Sequence, residues 1–520
     1  MSEPLLSRRD LLKVGTGAGA VLLAGRRASL GRTLLSATPR RGGVAQLGVV
    51  PDIDPAHLFV NDNANYPWYL LVFNTLTELD RRTGIPQPSL AESWEFTEGG
   101  KVVTLNLRSD VTFQSGRPFG PADVVGVINI TKAPGMWQHQ FVAIIKSIVD
   151  VSAAGSHSVK LRLATPLSNL FDLFTLLPMI DLEIPMSDYA SGAKIGGTGP
   201  FLFTKWTQGE SVVLTKNPKY WKPGLPYLDG VNVKIISEME SLVAALQSHE
   251  LDLIWDVAPS SVAPLKGNSA INVLASIVRG AGLLIGSNVK VSPLDQVEVR
   301  QAIAWAMDRE RMVTDVFAGF GVPDSVPWSP SNPAWTQAAA NHYSYNLAKS
   351  KALLAKAGAT GAKLSVAYDS ENPAPAAAAQ IAQFNLTQVG LDATLRAYDN
   401  AEMETIESGA QVPDLYVDTH GLGNLHPATL VNGSLIYRAT GGNASGFSTP
   451  EYTMLAHDSL VVGTTSAETK VYAELTNYLL EQQFASDLVS YPRVHAQLTR
   501  LVGNSYNIND FMIFDTAYIT

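Results

Sequence analysis

Residues 101–113, KVVTLNLRSDVTF, place Val103, Leu105 and Leu107 on one side of the chain and Thr104, Asn106 and Arg108 on the other. That period of two predicts a half-buried strand. VKLRLATPL at 159–167 repeats the alternation until Pro166 stops it. Between them, Pro121-Ala122-Asp123 opens a helical stretch, because proline and an acidic residue suit a first turn. GGTGPFLFTKWTQGESVVLTKNPKYW at 196–221 reads as two strands joined by a Gln208-Gly209 turn, then a loop. Met239, Leu242, Val243 and Leu246 share a helical face, and LDLIWDV at 251–257 follows as a short strand. In VEVRQAIAWAMDRERMV at 297–313, Val299, Ile303, Ala306 and Met307 again recur at helical spacing. YNLAKSKALLAKAG is a helix capped by Asn346 and ended by Gly358. The Ala/Pro stretch at 372–379 reads as a loop entering a helix, and LDATLRAYD at 391–399 returns to strand. Strands and helices alternate irregularly along the chain, without an internal repeat or a low-complexity linker.

The N-terminal LSRRDLLKVGTGAGAVLLAG breaks this pattern. Gly15-Thr16-Gly17-Ala18-Gly19-Ala20 fits the glycine spacing of a dinucleotide-binding turn. Such a turn must follow a strand and open a helix, so that backbone N–H groups meet the pyrophosphate. No strand precedes it. A basic start followed by an apolar, small-residue run is instead the layout of an export signal. Arg8 and Arg9, then Leu11, Leu12 and Lys13, resemble the twin-arginine form. The run ends at Arg26, short of the about 20 residues that span a bilayer. Arg26, Arg27, Arg32, Arg40 and Arg41 crowd the region where cleavage would be sought.

The 520 residues exceed one ordinary core and predict two or more domains. With 46% hydrophobic and 16% charged residues the chain is globular. Its formal charge of −9 argues against nucleic acid or anionic lipid as the main partner. There is no cysteine. Disulfide frameworks, thiolate zinc sites, cysteine nucleophiles and a lipid anchor at the export junction are therefore all excluded.

Catalytic signatures are missing. H-E-x-x-H, G-x-S-x-G and G-x-x-x-x-G-K do not occur. Gly196-Gly197-Thr198-Gly199-Pro200 lacks the Lys-Ser/Thr of a phosphate loop and leads into a strand, so it reads as a backbone turn. Of the nine histidines only His420 and His426 are close, and their spacing does not share a helical face. Glu402 and Glu404 lie on a solvated helix. Neither a metal nor a cofactor is called for.

Four separated segments resemble one family. LVFNTLTELDRRTGIPQPSLAESWEFTEGGKVVTLNLRSDVTFQSGRPFGPADVV carries P-x-L-A-E-S-W, L-R-x-x-V-x-F and G-x-P-F-x-x-x-D-V elements. The run from Gly197 to Ile236 carries G-T-G-P-[YF] and N-x-x-Y-W. The stretches 297–313 and 345–358 follow in order. Together they are similar to the family 5 extracytoplasmic solute-binding proteins, which serve ATP-binding-cassette importers of peptides, nickel complexes and related solutes.

The resemblance implies an α/β, periplasmic binding protein-like fold of the class II type, with two lobes, a hinge and an additional inserted domain. After the export region at 1–41, domain I would comprise 42–83, 190–285 and 489–520, domain II 84–189, and domain III 286–488, with crossovers near Gly286 and Ser490 as the hinge. It implies a monomeric receptor that hands a small solute to the membrane subunits of a permease. The runner-up is a hydrolase on the same scaffold, acting on an exported substrate.

For the site, the resemblance points to DLYVDTHGLGNLHPATL. Peptide-binding relatives place there an Asp that pairs with the peptide's free amine. Alignment on Pro427 puts Gly423 at that position, Asn424 beside it and His426 before the proline, with Asp418 five residues too early. A buried ammonium without a charge partner is costly. Asn424 and His420 therefore suit a hydroxyl-, amide- or carboxylate-bearing ligand as well as a peptide, for example an oligosaccharide or a modified amino acid. Asn61, Asp62, Asn65 and Tyr66 in FVNDNANYPW either face the cleft or cap their loop. Trp328 and Trp335 in VPWSPSNPAW are further candidates for the lining. Trp94, Trp221 and Trp305 read as core.

Overall fold

The computed structural model describes residues 38–59, 63–133, 141–461 and 465–520. The twin-arginine segment, Asn61 and Asp62 lie outside these residues.

The alternating strands pair as their pattern requires. Val102–Leu107 lies between Ala91–Thr97 and Ser158–Leu163, and Ile148–Ala153 completes a four-stranded antiparallel sheet. Val103, Leu105, Leu107, Val159, Leu161 and Leu163 are all buried in one core with Val124, Val127 and Ile128 of helix Pro121–Thr131. Asp123 starts that helix by accepting the Gly120 N–H at 2.9 Å. Arg117 holds both Asp123, at 2.7 Å, and Asp181, at 2.8 Å. The family-like Pro-Phe-Gly-Pro-Ala-Asp stretch thus has a structural purpose.

Among the described residues, seven strands form a second sheet in the order Ile271–Ala275, Val494–Leu498, Leu253–Ile254, Val44–Val49, Gly230–Ile235, Ser211–Lys216, Phe201–Thr207. Gly197 and Gly199 lie so close to the Val72 backbone that a Cβ would stand 2.3 and 2.6 Å from its carbonyl oxygen. Close backbone approach, and not a phosphate, explains this glycine cluster.

A six-stranded sheet follows the order Val322–Pro323, Ala485–Tyr491, Ala281–Ser287, Leu415–His420, Lys363–Asp369, Asp392–Tyr398. Its side chains alternate between two helical layers. Leu283, Ile285, Val366 and Val417 join Val299, Ile303, Ala378 and Ala382 from helices Val297–Ala306 and Pro373–Gln388. Leu284, Ala367 and Tyr416 point the other way, into a core with Tyr437, Tyr452 and Leu475. Burial on both faces is what a sheet containing parallel pairs needs.

Three sequence expectations shift. The helical stretch 297–313 is two helices, Val297–Ala306 and Arg309–Asp315. Asp308 ends the continuity by accepting the Arg311 N–H at 3.1 Å, and the Arg309 guanidinium takes the carbonyl of Ala304 at 2.8 Å. The expected loop at 372–379 is already helical from Pro373, with Asn372 as N-cap. The chain leaves the seven-stranded sheet over residues 276–280 and returns over 492–493. Gly286 and Ser490 lie inside strands of the six-stranded sheet. Gly286 is glycine because a Cβ would meet the Tyr416 ring at 2.0 Å.

Candidate functional site

A cavity of about 530 Å³ opens where the two chain passages join the sheets. One wall comes from the seven-stranded lobe, with Asn63, Tyr66, Arg493, Asn509 and Asp510. The other comes from the six-stranded lobe, with Glu407, Asp418, His420, Asn424 and Ile436. Its size suits a compound of a few tens of atoms.

Each polar wall residue is fixed by its element. Asp418 and His420 close strand Leu415–His420. The His420 ring lies against Gly282, where a Cβ would stand 2.3 Å from Nε2. That nitrogen faces Asp487 at 3.1 Å, and Asp487 also accepts the Tyr437 hydroxyl at 2.7 Å. Asn424 reaches across the seam, donating to the Ile508 carbonyl and to Asn509 Oδ1 at 2.7 Å. Arg493 is ion-paired with Asp256 and donates to Asn63 at 2.6 Å. Its guanidinium sits 5.2 Å from the Tyr66 ring centre and 4.8 Å from that of Trp255. Asp510 accepts the Ser276 hydroxyl, and burial pushes its carboxyl up to about 7.

The structure therefore brings together four of the residues singled out from sequence: Tyr66, Asp418, His420 and Asn424. Trp328 stands apart from this cavity. It is 1% exposed, and its indole donates to Thr476 at 2.9 Å within the core of the six-stranded lobe. Trp335 packs against the same core. Asn65 is a loop cap, its Oδ1 accepting the Asp54 backbone N–H at 3.1 Å and the Trp68 indole N–H at 3.0 Å. His426 caps helix Pro427–Gly433, with Nδ1 accepting from the Ala428 N–H at 3.2 Å and Nε2 facing the Tyr472 hydroxyl at 2.8 Å. Burial holds its ring neutral, down to about 3.

Sequence reasoning missed Glu407, Arg493 and Asp510. For Glu407 a signal existed, since it falls one helical turn after buried Met403 on the inner face of helix Asn400–Ser408. An acidic residue on an apolar face is worth a question. Arg493 and Asp510 reach the cavity from the return passage and the C-terminal segment, and nothing local marks them.

Away from the cavity the inserted region is tied to the six-stranded lobe. Asp172 of helix Leu170–Leu176 accepts the His426 N–H at 2.9 Å and the Thr429 hydroxyl at 2.6 Å. Asn169 donates to Thr429 at 2.9 Å, and the Ser168 N–H to the Leu460 carbonyl at 2.9 Å.

Two lobes joined by two passages, with a polar cavity at the seam and an inserted sheet, define a two-lobed fold of the periplasmic binding protein-like type. Residues 86–439 match the family described as bacterial extracellular solute-binding proteins, family 5 Middle, and the chain belongs to that family. Among curated relatives, the glutathione-binding protein GsiB of Escherichia coli strain K12 is 28% identical over 323 residues, covering 60% of each chain. The match to GsiB of E. coli O6:K15:H31 is 29% over the same span. The alignment thus spans about 60% of the length of these relatives. Among solved structures, CtaP from Listeria monocytogenes, an ABC transporter substrate-binding protein, superposes with a TM-score of 0.81 at 20% identity, covering 92% of this chain and all of that one. AgaA from A. tumefaciens R10, in complex with agropinic acid, gives 0.76 at 24%, covering 92% and 99%. At these identities the structures establish the fold. The curated relatives are binding proteins, and none of these matches is a hydrolase. No helix among the described residues is long and apolar enough to cross a membrane.

Proposed function

We propose that the chain is the extracytoplasmic receptor of an ATP-binding-cassette importer. It captures a small polar solute, peptide-like or of similar size, between its lobes and delivers it unchanged to the permease. The observation that carries this reading is the cavity of about 530 Å³ walled by residues from both lobes. A solute touching both walls stabilises the closed arrangement over the open one, and that difference in contacts drives closure. About 5.5 kcal/mol of differential binding turns a 1:99 population into 99:1. Passages 276–280 and 492–493 are the hinge in this reading, and the segments between them form domain III. Arg8 and Arg9 support export by the twin-arginine route, and the receptor acts as a monomer. Glutathione binding by the curated relatives supports a peptide-sized ligand.

Small-angle scattering of the purified chain tests closure. The radius of gyration is expected to fall when solute extracted from the native preparation, identified by mass spectrometry, is added back. Tight binding by calorimetry with an unchanged radius would defeat the closure reading. Chemical conversion of the solute would defeat the receptor reading, and cytoplasmic retention of a tagged full-length chain would defeat export.

A further inference from the structure

Glu407 and Asp418 bring two carboxyl groups together in the cavity wall, from helix Asn400–Ser408 and strand Leu415–His420. The two groups are near enough to act on each other electrostatically. Glu407 is only 5% exposed, and its Oε1 has no partner among the described residues. Lost hydration and mutual repulsion both favour keeping a proton on such a pair, so its titration belongs to the two groups jointly. Asp369 and Glu404 add negative potential from the neighbouring strand and the same helix, and His420 opposes it. Beneath the pair the Tyr416 hydroxyl is engaged with Ser445 at 3.1 Å.

Among the described residues no Lys or Arg side chain pairs with either carboxyl. A second, separate observation lies beside them. The His420 ring is 8% exposed with Nε2 engaged by Asp487, and its Nδ1 is left without a partner. On the opposite wall the cation Arg493 is already matched by Asp256, while Asp510 adds another carboxyl. The cavity therefore has carboxyl groups in excess of cations. Glu407 is buried, Asp418 is partly buried, and neither has a counter-charge from a Lys or Arg of the described residues, so a cation from outside would supply the missing one.

We propose that Glu407 and Asp418 form the cation anchor of this cavity, binding a protonated ammonium or guanidinium group of the solute and releasing their shared proton to solvent as it docks. This rests on the reading of the cavity as a solute site. It restores recognition of a basic nitrogen that Gly423, by replacing the expected Asp, had argued against, and it does so from a different strand position and a different helix.

The purified chain is titrated by calorimetry at pH 7 with putrescine, agmatine, L-arginine, trialanine and glutathione. N-acetyl-trialanine and maltotriose serve as uncharged-nitrogen and neutral comparisons. At least one amine is expected to bind, and acetylation of trialanine, if that is the binder, to weaken it at least tenfold. Asp418→Asn is expected to weaken amine binding at least tenfold. In the unsubstituted chain the heat of binding should differ between phosphate and Tris, because the released proton is taken up by the buffer. Glu407→Gln should weaken amine binding and also abolish that buffer dependence, whereas a purely structural role would leave the dependence in place. Binding of N-acetyl-trialanine or maltotriose that is undiminished in Asp418→Asn overturns the anchor and leaves the receptor reading intact. If no compound binds and no solute co-purifies, both fall.

Discussion

Replacing Trp328 with alanine is expected to lower the unfolding free energy by about 3–5 kcal/mol, the range for deleting a buried aromatic ring and leaving its space unfilled. The ring is 1% exposed, in one core with Val326, Tyr343 and Leu475, and its indole N–H bonds Thr476 at 2.9 Å. Removing it also leaves a buried hydroxyl short of a donor. Denaturant unfolding should show a lower midpoint with an unchanged slope, while solute affinity stays within a few fold. A loss below about 1 kcal/mol together with abolished binding would instead put this indole against the ligand.

The second large effect concerns pH. Burial pushes the Asp172 carboxyl up to about 7, the hydrogen bonds from Thr429 and His426 opposing this only in part. The folded form therefore holds a proton that the unfolded chain, with an ordinary aspartate, gives up near pH 4. A raised folded-state value means the folded form binds more protons through this interval, so stability falls as pH rises from about 4 to about 7. Tyr472, Glu468 and His426 stand nearby. Burial keeps His426 uncharged and Tyr472 protonated across the window, so neither adds a titration of its own there. Asp172→Asn retains an oxygen to accept both bonds and removes the titration. Between pH 5 and pH 8 the native chain should lose on the order of 2 kcal/mol relative to that variant. Parallel pH profiles for the two proteins, from urea unfolding, would mean Asp172 is ionised in the fold throughout.

Both effects come from residues whose surroundings were not legible in the chain. Trp328 sits in a proline-rich loop with no period, and burial there depends on the helix layer that closes over it. Asp172 follows Leu170 and Phe171 in an ordinary helical run, and its partners lie more than 250 residues away. The same contrast divides the candidate site. Asp418 and His420 were found because they fall in a stretch that resembles a binding element. Glu407 was passed over although its spacing from Met403 placed it on the inner face. Arg493 carried no sign at all, since its meaning comes from Tyr66, Asp256 and Asn63, which the fold alone brings near it.

The chain by itself settled whatever depends on neighbours within a few residues: alternating strands such as Val102–Leu107, helix starts at Pro121 and Asn346, and the lack of any thiol chemistry. These follow from side-chain period, capping and composition, which act locally. Tertiary structure decided that Gly286 lies inside a strand, that His426 caps a helix beside Tyr472, and that two carboxyl groups share one wall of a cavity. Each of those depends on distance and desolvation between segments far apart in sequence, and a one-dimensional pattern carries no measure of either.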